Sequence, residues 1–271
     1  MSVVKPEPLV SIITPNYNGQ KFIRNTIESV IKQTFQNWEM IIVDDGSTDD
    51  SLQIIEEYAK QDPRIKFLKT NLAKFPKLIA GPGAARNTAI DAAKGKYIAF
   101  LDNDDLWHPT KLEKQISFLE KNSYSLVYTW YDIIDEDGTK IGEHTPSDLK
   151  LSYSDLLKDC KIGCLTVMYD VAKLGKQFIN LNKYDRYADY SLWLKITKEG
   201  NEAYCMHEKL SSYRLVKGSI SANKLNAMIH QWHILRQVEK LKIYFAFYNF
   251  FFYLTTGFTK KLRYNLRRWF K

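Results

Sequence analysis

Cysteine is scarce in this chain of 271 residues, which contains three: Cys160, Cys164 and Cys205. An odd number leaves one thiol outside any disulfide scheme, and Cys160 and Cys164 have no further Cys or His at zinc-binding spacing. Residues 1–8 are polar and contain no apolar core of a signal peptide. These absences argue against a disulfide-stapled secreted domain and a zinc module, and they predict a cytoplasmic protein with reduced thiols.

Acidic residues are absent from the C-terminal stretch 240–271, which contains eight lysines and arginines. Removing these eight from the 39 basic residues of the chain leaves 31, which equals the number of Asp and Glu residues. The formal charge of +8 therefore belongs to this tail, and the rest of the chain is neutral. A neutral body argues against a nucleic-acid partner.

Short apolar runs alternate with amphipathic segments through the first half of the chain. The runs typical of buried strands are 9–13, 40–43, 65–68 and 97–101, and the helical segments are 22–31, 47–60, 83–93 and one that starts at Pro109. Ser47 and Asp50 have capping-box spacing at the start of the second helix. The alternation predicts an α/β fold with a mostly parallel central sheet flanked by helices. Residues 126–130 are strand-like, and from about residue 138 to 213 short strands and helices mix irregularly.

Three of the predicted strands end in polar clusters, at residues 14–18, 44–47 and 102–105. The carboxyl ends of parallel strands meet at one edge, so we expect these clusters to converge there. Asp102 and Asp104 project to the same side of an extended chain and suit Mg²⁺ or Mn²⁺, although a solvated acidic turn is the alternative. The first turn has no glycine-rich phosphate motif, so a diphosphate would need a metal ion here.

Several motifs resemble glycosyltransferase family 2, whose members are inverting enzymes that use nucleotide sugars and adopt the GT-A fold. The matching stretches are 10–18, 29–34, 41–49, 85–87 and 97–107, and the resemblance extends from about residue 9 to 221. It is closest to bacterial enzymes that make capsule, teichuronic acid or lipopolysaccharide glycans. The resemblance implies a GT-A domain over 1–223, with a nucleotide-sugar-binding half (1–107) and an acceptor half (108–223), followed by a helical extension over 224–271.

The resemblance also implies the donor contacts of the first half. Pro15 and Tyr17 would line the nucleoside pocket. Asp45 would accept a hydrogen bond from the N3–H of uracil, with the adjacent Asp44 as the alternative. Arg86 would approach the base or the phosphates, where its forked donors fit.

The metal and the diphosphate have implied ligands of their own. Asp102 and Asp104 would bind Mn²⁺ or Mg²⁺, with Asp104 the more direct ligand, and Asn103 between them belongs to the same donor site. Arg214, with residues 219–221 after it, would help neutralise the departing diphosphate. Residues 72–80 look inserted relative to the family, which leaves the donor sugar open.

An inverting transfer needs a base that deprotonates the acceptor hydroxyl. In the family this base lies in a Glu-Asp-x-x-Leu-Trp motif, which residues 188–193 match except that Ala188 replaces the Glu. Asp189 is therefore the predicted base and Asp185 the alternative, although Asp189 also suits a helix N-terminus for purely structural reasons. Because of Ala188, a catalytically silent nucleotide-binding scaffold of a membrane glycan-assembly complex stays open. A sugar nucleotidyltransferase is a further alternative.

The reaction implied by the resemblance is transfer of a hexosyl or N-acetylhexosaminyl group, from a UDP-sugar to a hydroxyl of a glycan or lipid-linked acceptor. Residues 243–254 are apolar or aromatic except Asn249. A helix of this length rises about 18 Å, short of the roughly 30 Å needed to span a bilayer. With its basic flanks, stretch 241–271 predicts peripheral contact with the cytoplasmic face of an anionic membrane. Packing on the catalytic domain or on a second subunit is the alternative.

Overall fold

A parallel four-stranded sheet forms the first half of the chain. The computed structural model describes residues 9–76, 81–181, 188–216 and 224–269. The elements of this half are β1 Val10–Asn16, α1 Ile23–Ile31, β2 Trp38–Asp44, α2 Ser51–Gln61, β3 Ile65–Lys69, α3 Gly83–Ala92 and β4 Tyr97–Phe100. The strands lie side by side in the order β3-β2-β1-β4, and each neighbouring pair is parallel. Parallel pairing requires a crossover between strands, and the three helices supply it.

The second half continues the same sheet with mixed strand directions. Its elements are β5 Leu106–Trp107, α4 Lys111–Asn122, β6 Leu126–Ile134, β7 Lys140–His144, β8 Lys150–Leu151, α5 Tyr153–Lys158, β9 Met168–Asp170, α6 Val171–Leu174, α7 Ala188–Lys198 and β10 Ala203–Arg214. Strand β9 inserts antiparallel between β4 and β6, whereas β10 runs parallel to β6. The predicted α/β class is confirmed, but the sheet is parallel throughout only in its first half.

Three helical segments follow the sheet. Helix α8 (Lys224–His233) leads into a π-helical segment, Ile234–Val238, and helix α9 covers Ile243–Trp269. None of the helices in the described residues is both long enough and apolar enough to cross a membrane.

Apolar side chains cover both faces of the sheet, as expected for strands that read as continuous apolar runs. Successive residues of β1 and β4 point to opposite faces, so Ile13 and Phe100 join one cluster and Ile12 and Ala99 the other. All four side chains are almost completely buried. This arrangement leaves the loops at the carboxyl ends of the strands as the polar edge of the sheet.

The predicted capping box of the second helix is wrong. Helix α2 begins at Ser51, and Asp50 stands at its N-cap without a side-chain cap. The hydroxyl of Ser47 donates instead to the Asp44 carboxylate, 2.5 Å away. A carboxylate at the end of β2 captures Ser47, which delays the start of the helix by four residues relative to the prediction.

Gly95, just before β4, is required by close backbone contact. A Cβ atom at this position would lie 2.5 Å from the amide nitrogen of Ser11 and 2.8 Å from the carbonyl carbon of Val10. We expect Gly95→Ala to lower the free energy of unfolding by about 1–3 kcal/mol, because the strand must move to admit the methyl group. Denaturant unfolding measures this change.

Gly142 in β7 is the matched control. Its added Cβ would meet no atom closer than 3.6 Å, so Gly142→Ala should change stability by about 0.5 kcal/mol or less. Equal effects at Gly95 and Gly142 would contradict this account of the packing.

Candidate active site

The ends of β1, β2 and β4 meet at the side chain of Asn16. Its amide nitrogen lies 3.0 Å from a carboxylate oxygen of Asp44, and its amide oxygen accepts a 2.9 Å hydrogen bond from Asn103. Its carbonyl oxygen accepts the amide N–H of Asp45 at 2.8 Å. The acidic clusters 44–45 and 102–105 therefore lie beside each other at one edge of the sheet.

Gly19 lets the loop after β1 approach this junction. A Cβ atom on Gly19 would lie 2.3 Å from the side-chain nitrogen of Asn103 and 2.4 Å from the side-chain oxygen of Asn16. Any larger residue would occupy the space of the Asn16–Asn103 hydrogen bond. The absence of a side chain at Gly19 is thus part of the junction.

Asp44 and Asp45, the two candidates for uracil recognition, have different surroundings. Asp44 is buried and accepts the main-chain N–H groups of Gly46 and Ser47 at 3.0 Å each, besides its contact with Asn16. Asp45 is only half-buried, and one carboxylate oxygen accepts a 3.0 Å hydrogen bond from the hydroxyl of Thr70. The surroundings favour Asp45 as the ligand-facing carboxylate and Asp44 as a structural one.

Tyr17 and Pro15 flank the same junction. Tyr17 is 60% exposed, so its ring is accessible to a ligand from solvent. Pro15 is buried in β1, at a place where the pairing of β1 with β4 has already ended at Ile13. A residue without an N–H is tolerated there because β4 no longer lies beside it on that side of β1, although β2 still pairs with it through Val43.

Arg86 forms a buried ion pair with the first aspartate of Asp-x-Asp. Its terminal nitrogen lies 2.5 Å from a carboxylate oxygen of Asp102, and the guanidinium is almost fully buried. Burial by itself would lower the pKa of Arg86, but the nearby carboxylates of Asp102 and Asp189 outweigh it and raise this pKa above its ordinary value. Asp189, the predicted base, is therefore near enough to interact electrostatically with the cation that pairs with Asp102.

The surroundings of Asp104 disfavour the negative charge of its carboxylate. Burial and the negative charge of Asp102 raise the pKa of Asp104 to about 6, against the opposing influence of Arg214 and Arg86. Asp105 is buried, and burial together with Asp104 and Asp102 raises its pKa well above the usual range. Carboxylates that repel one another in a partly dry site suit a divalent cation.

The donor set for a metal ion at this place is small. Within residues 9–76, 81–181, 188–216 and 224–269, no three Asp, Glu, His or Cys side chains are grouped so as to hold a metal ion. Asp102 and Asp104 would therefore be the two side chains that bind the ion, with no third one grouped beside them in these residues. Mg²⁺ is commonly held in this way, by one or two carboxylates plus substrate phosphates and water.

Arg214 at the end of β10 ties several loops together. Its Nε donates to the carbonyl oxygen of Asp104 at 2.8 Å, and its Nη1 donates to those of Asp135 and Glu136 at 3.1 and 3.0 Å. The guanidinium lies 4.7 Å from the centre of the Phe22 ring and is nearly buried. These contacts position the Asp-x-Asp loop, while contact of Arg214 with the diphosphate stays a prediction.

An aromatic contact places helix α7 against β4. The Trp193 ring packs edge-on against Phe100, with ring centroids 5.4 Å apart. Phe100 precedes Asp102 by two residues, and Trp193 follows Asp189 by four residues, about one helical turn. This contact joins the two motifs through their aromatic residues.

Some predicted features lie outside the described residues. Asp185, the alternative base, and residues 219–221 belong to this group, as do residues 77–80 of the apparent insertion. In the described part of the insertion, Phe75 stacks on Phe178 with ring centroids 5.7 Å apart.

Three positioning residues were not singled out from the sequence. Asn16 is one. Thr26 on α1 places its hydroxyl 3.0 and 2.9 Å from the carbonyl oxygens of Asn103 and Asp105. Asn87 exchanges two hydrogen bonds with the backbone of Ile179, 2.9 and 2.8 Å long. Asn16 and Asn87 lie inside motifs that were recognised, but only their distant partners reveal what they do.

Comparison with known proteins identifies the family. The model of the family "Glycosyl transferase family 2" matches residues 11–181. The chain is a family 2 glycosyltransferase. The putative teichuronic acid biosynthesis glycosyltransferase TuaG of Bacillus subtilis (strain 168) is 40% identical to it over 258 residues, which cover 94% of this chain and 98% of TuaG.

A second relative of this family 2 glycosyltransferase has a more specific name. It is the UDP-Glc:alpha-D-GlcNAc-diphosphoundecaprenol beta-1,3-glucosyltransferase WfgD of Escherichia coli, 42% identical over 229 residues, covering 84% of this chain and 85% of WfgD. Among solved structures, S. aureus TarS 1-349 in complex with UDP-GlcNAc superposes with a TM-score of 0.69 at 20% identity, over 92% of this chain and 72% of that one. This structural likeness shows the fold, which is the predicted GT-A fold.

The Asn16 junction of the glycosyltransferase can be tested by removing its amide. We expect Asn16→Ala to lower the free energy of unfolding by about 1–3 kcal/mol, because buried groups of Asp44, Ser51 and Asn103 lose their partner. The loop 102–105 should also exchange its amide protons faster. Denaturant unfolding and hydrogen–deuterium exchange measure the two effects.

Asn122→Ala is the control for this experiment. Asn122 is exposed, and its side-chain nitrogen donates to the carbonyl of Phe118 on its own helix. Its removal should leave stability within about 0.5 kcal/mol and exchange at 102–105 unchanged. If the amide protons of residues 102–105 exchanged as slowly in Asn16→Ala as in the wild type, the junction would not be what holds the loop.

Proposed function

We propose that this family 2 glycosyltransferase catalyses a divalent-metal-dependent, inverting transfer from a UDP-sugar to a hydroxyl group of a lipid-linked glycan in cell-surface polysaccharide synthesis. The observation that supports it most is that one buried cation, Arg86, forms an ion pair with Asp102 and also interacts electrostatically with Asp189. Asp102 belongs to the candidate metal-binding pair, and Asp189 is the candidate base. A donor diphosphate and an acceptor hydroxyl would therefore be bound next to each other.

The donor and acceptor classes are proposed from the relatives. WfgD is named for UDP-Glc and for an acceptor linked to diphosphoundecaprenol, and TarS was solved with UDP-GlcNAc. A hexosyl or N-acetylhexosaminyl group is thus the group proposed to be transferred. Asp45 and Tyr17 would contact the nucleoside. An acceptor of this kind would place the enzyme at the cytoplasmic face of the membrane.

Asp102 and Asp104 would hold Mn²⁺ or Mg²⁺ together with oxygens of the donor diphosphate. Such an ion neutralises charge on a diphosphate leaving group. A mannosyltransferase of the same fold, PcManGT from Pyrobaculum calidifontis, was solved with GDP-Man and Mn²⁺ (TM-score 0.64, 17% identity, over 88% of this chain and 66% of that one). Burial, together with the negative charge of Asp102, raises the pKa of Asp104, and this penalty on its charge is the local reason why a cation fits here.

The proposed role of Asp189 is to accept the proton of the acceptor hydroxyl. The acceptor oxygen then forms its bond to the anomeric carbon, and the bond from that carbon to the diphosphate breaks on the opposite face. The leaving diphosphate takes the electron pair, so the configuration is inverted. Arg86 would hold the Asp189 carboxylate near the donor through charge attraction, and Trp193 would fix the helix that carries it.

Metal dependence is tested by removing the ion and by changing Asp104. We expect EDTA to abolish UDP release, and added Mn²⁺ to restore it. Asp104→Asn should weaken UDP-sugar binding in the presence of Mn²⁺ by at least about tenfold, because one negative ligand is lost. Calorimetric titration and a UDP-release assay measure these effects.

Asp137 provides the control, because this residue is exposed in a turn and Asp137→Asn also removes one negative charge. Asp137→Asn should bind UDP-sugar and release UDP as the wild type does. Activity that survives EDTA would contradict the metal-dependent reaction.

The role of Asp189 is tested by Asp189→Asn, which keeps the shape of the side chain and removes the base. We expect kcat to fall by about 10²–10⁴, with UDP-sugar affinity unchanged within about threefold. Proton NMR of the wild-type product should show a β-linkage formed from an α-linked donor.

Full activity of Asp189→Asn would show that another residue acts as the base, and Asp185→Asn would then be the next variant to assay. A wild-type protein that binds UDP-sugar without turnover of any lipid-linked acceptor would favour the silent scaffold, for which Ala188 is the motivating residue.

A further inference from the structure

Helix α9 presents a continuous apolar surface to solvent. Its side chains that are between 36 and 63% exposed are Ile243, Tyr244, Phe245, Phe247, Tyr248, Phe251, Phe252 and Leu254. Single exposed apolar residues are ordinary on protein surfaces, but a run of this density on one helix marks a binding surface. We call these eight residues the aromatic face.

The opposite side of α9 is already docked on the protein. Ala246 is fully buried, Asn249 is nearly so, and Phe250 packs against Trp232 with ring centroids 5.4 Å apart. Ala246, Asn249 and Phe250 stand at positions i, i+3 and i+4, which lie on one side of an α-helix. The helix is therefore apolar on both sides. The inward side packs on the described chain, whereas the aromatic face contacts it only at its margins, where the Phe247 ring centroid lies 4.9 Å from that of Trp232 and the Lys158 nitrogen lies 5.8 Å from the centre of the Phe252 ring.

The charge of the segment indicates what covers the aromatic face. From residue 240 to 271 the sequence contains eight basic residues and no acidic one. Further along, Phe258, Leu262, Leu266 and Trp269 recur in the sequence at intervals of four, four and three, an amphipathic period with lysines and arginines between them. Aromatic residues on one side and cations around them are typical of helices that lie in the interface of anionic membranes.

A second copy of the chain is a poorer partner for this surface. In a symmetric dimer the same patch contacts itself, so two segments with eight basic residues each would face one another. Their mutual repulsion would oppose association, whereas anionic lipid would be attracted.

Helix α9 is joined to the acceptor half of the enzyme. Trp232 on α8 packs against α9, and the adjacent Gln231 donates hydrogen bonds to the Leu157 carbonyl at 3.1 Å and to the Tyr190 hydroxyl at 3.2 Å. Tyr190 directly follows Asp189, so a surface that holds α9 is connected to the helix of the candidate base.

We propose that the aromatic face of α9 inserts into the interface of an anionic phospholipid membrane, with α9 parallel to the bilayer plane. The basic residues after position 257 bind lipid phosphates, and the acceptor half is held at the membrane. The binding requires neither donor sugar nor acceptor, so it stands or falls separately from the transferase reaction.

Flotation of the full chain with vesicles tests the proposal. Wild-type protein should float with vesicles of phosphatidylcholine containing phosphatidylglycerol. The double variant Tyr244→Ser/Phe251→Ser removes two side chains that are 57 and 63% exposed, so it should fold normally. Its partition into these vesicles should be at least about tenfold weaker, because the apolar area that enters the lipid is lost. Unchanged flotation of this variant would overturn the proposal.

Leu149→Ser is the matched control, since Leu149 is 73% exposed but lies far along the chain from α9. It should float like the wild type. A second arm removes charge: Lys260→Gln/Lys261→Gln should weaken partition about fivefold for each charge, and added salt should act in the same direction. Equal binding to vesicles of pure phosphatidylcholine would contradict the anionic preference. Light scattering without lipid that shows a dimer, abolished in Tyr244→Ser/Phe251→Ser, would assign the face to a second copy.

Discussion

The site depends on one buried amide. Asn16 accepts from Asn103 of the Asp-x-Asp loop and donates to Asp44 of the neighbouring strand end, while its carbonyl receives the amide N–H of Asp45. A buried amide that loses a partner costs free energy, so its hydrogen bonds hold the two acidic loops at a set distance. Gly19 completes the arrangement, because a side chain there would take the place of the Asn16–Asn103 contact.

Around this junction, charge balance organises the rest. Arg86 is buried, which by itself disfavours a cation, and the carboxylates of Asp102 and Asp189 compensate for it. Asp104 has less compensation, so its carboxylate would gain from an added cation. Because Asp102 and Asp189 come from different halves of the chain, Arg86 links the two halves electrostatically.

The second half of the chain is stabilised by aromatic and amide contacts. Trp193 packs on Phe100, and the Tyr190 hydroxyl donates to the Leu156 carbonyl at 2.5 Å and receives a hydrogen bond from Gln231. Helix α8, which supplies Gln231, also packs against α9 through Trp232, so the aromatic face is connected to the helix that contains Tyr190. Recognition of a membrane-bound acceptor and attachment to the membrane surface would then share one structural support.

Much of this protein follows from local sequence. Apolar runs such as 97–101 predict buried strands because almost all of their side-chain surface is apolar, and carboxylates directly after a strand must lie at the edge of the sheet. The motifs of residues 10–107 likewise predict the family. Tertiary structure alone decided that Ser47 binds Asp44 instead of capping α2, that Arg214 holds the carbonyls of Asp104 and Asp135, and which side of α9 is covered. Each of these outcomes depends on a competition between partners brought together only by folding, and local patterns contain no information about which partner wins.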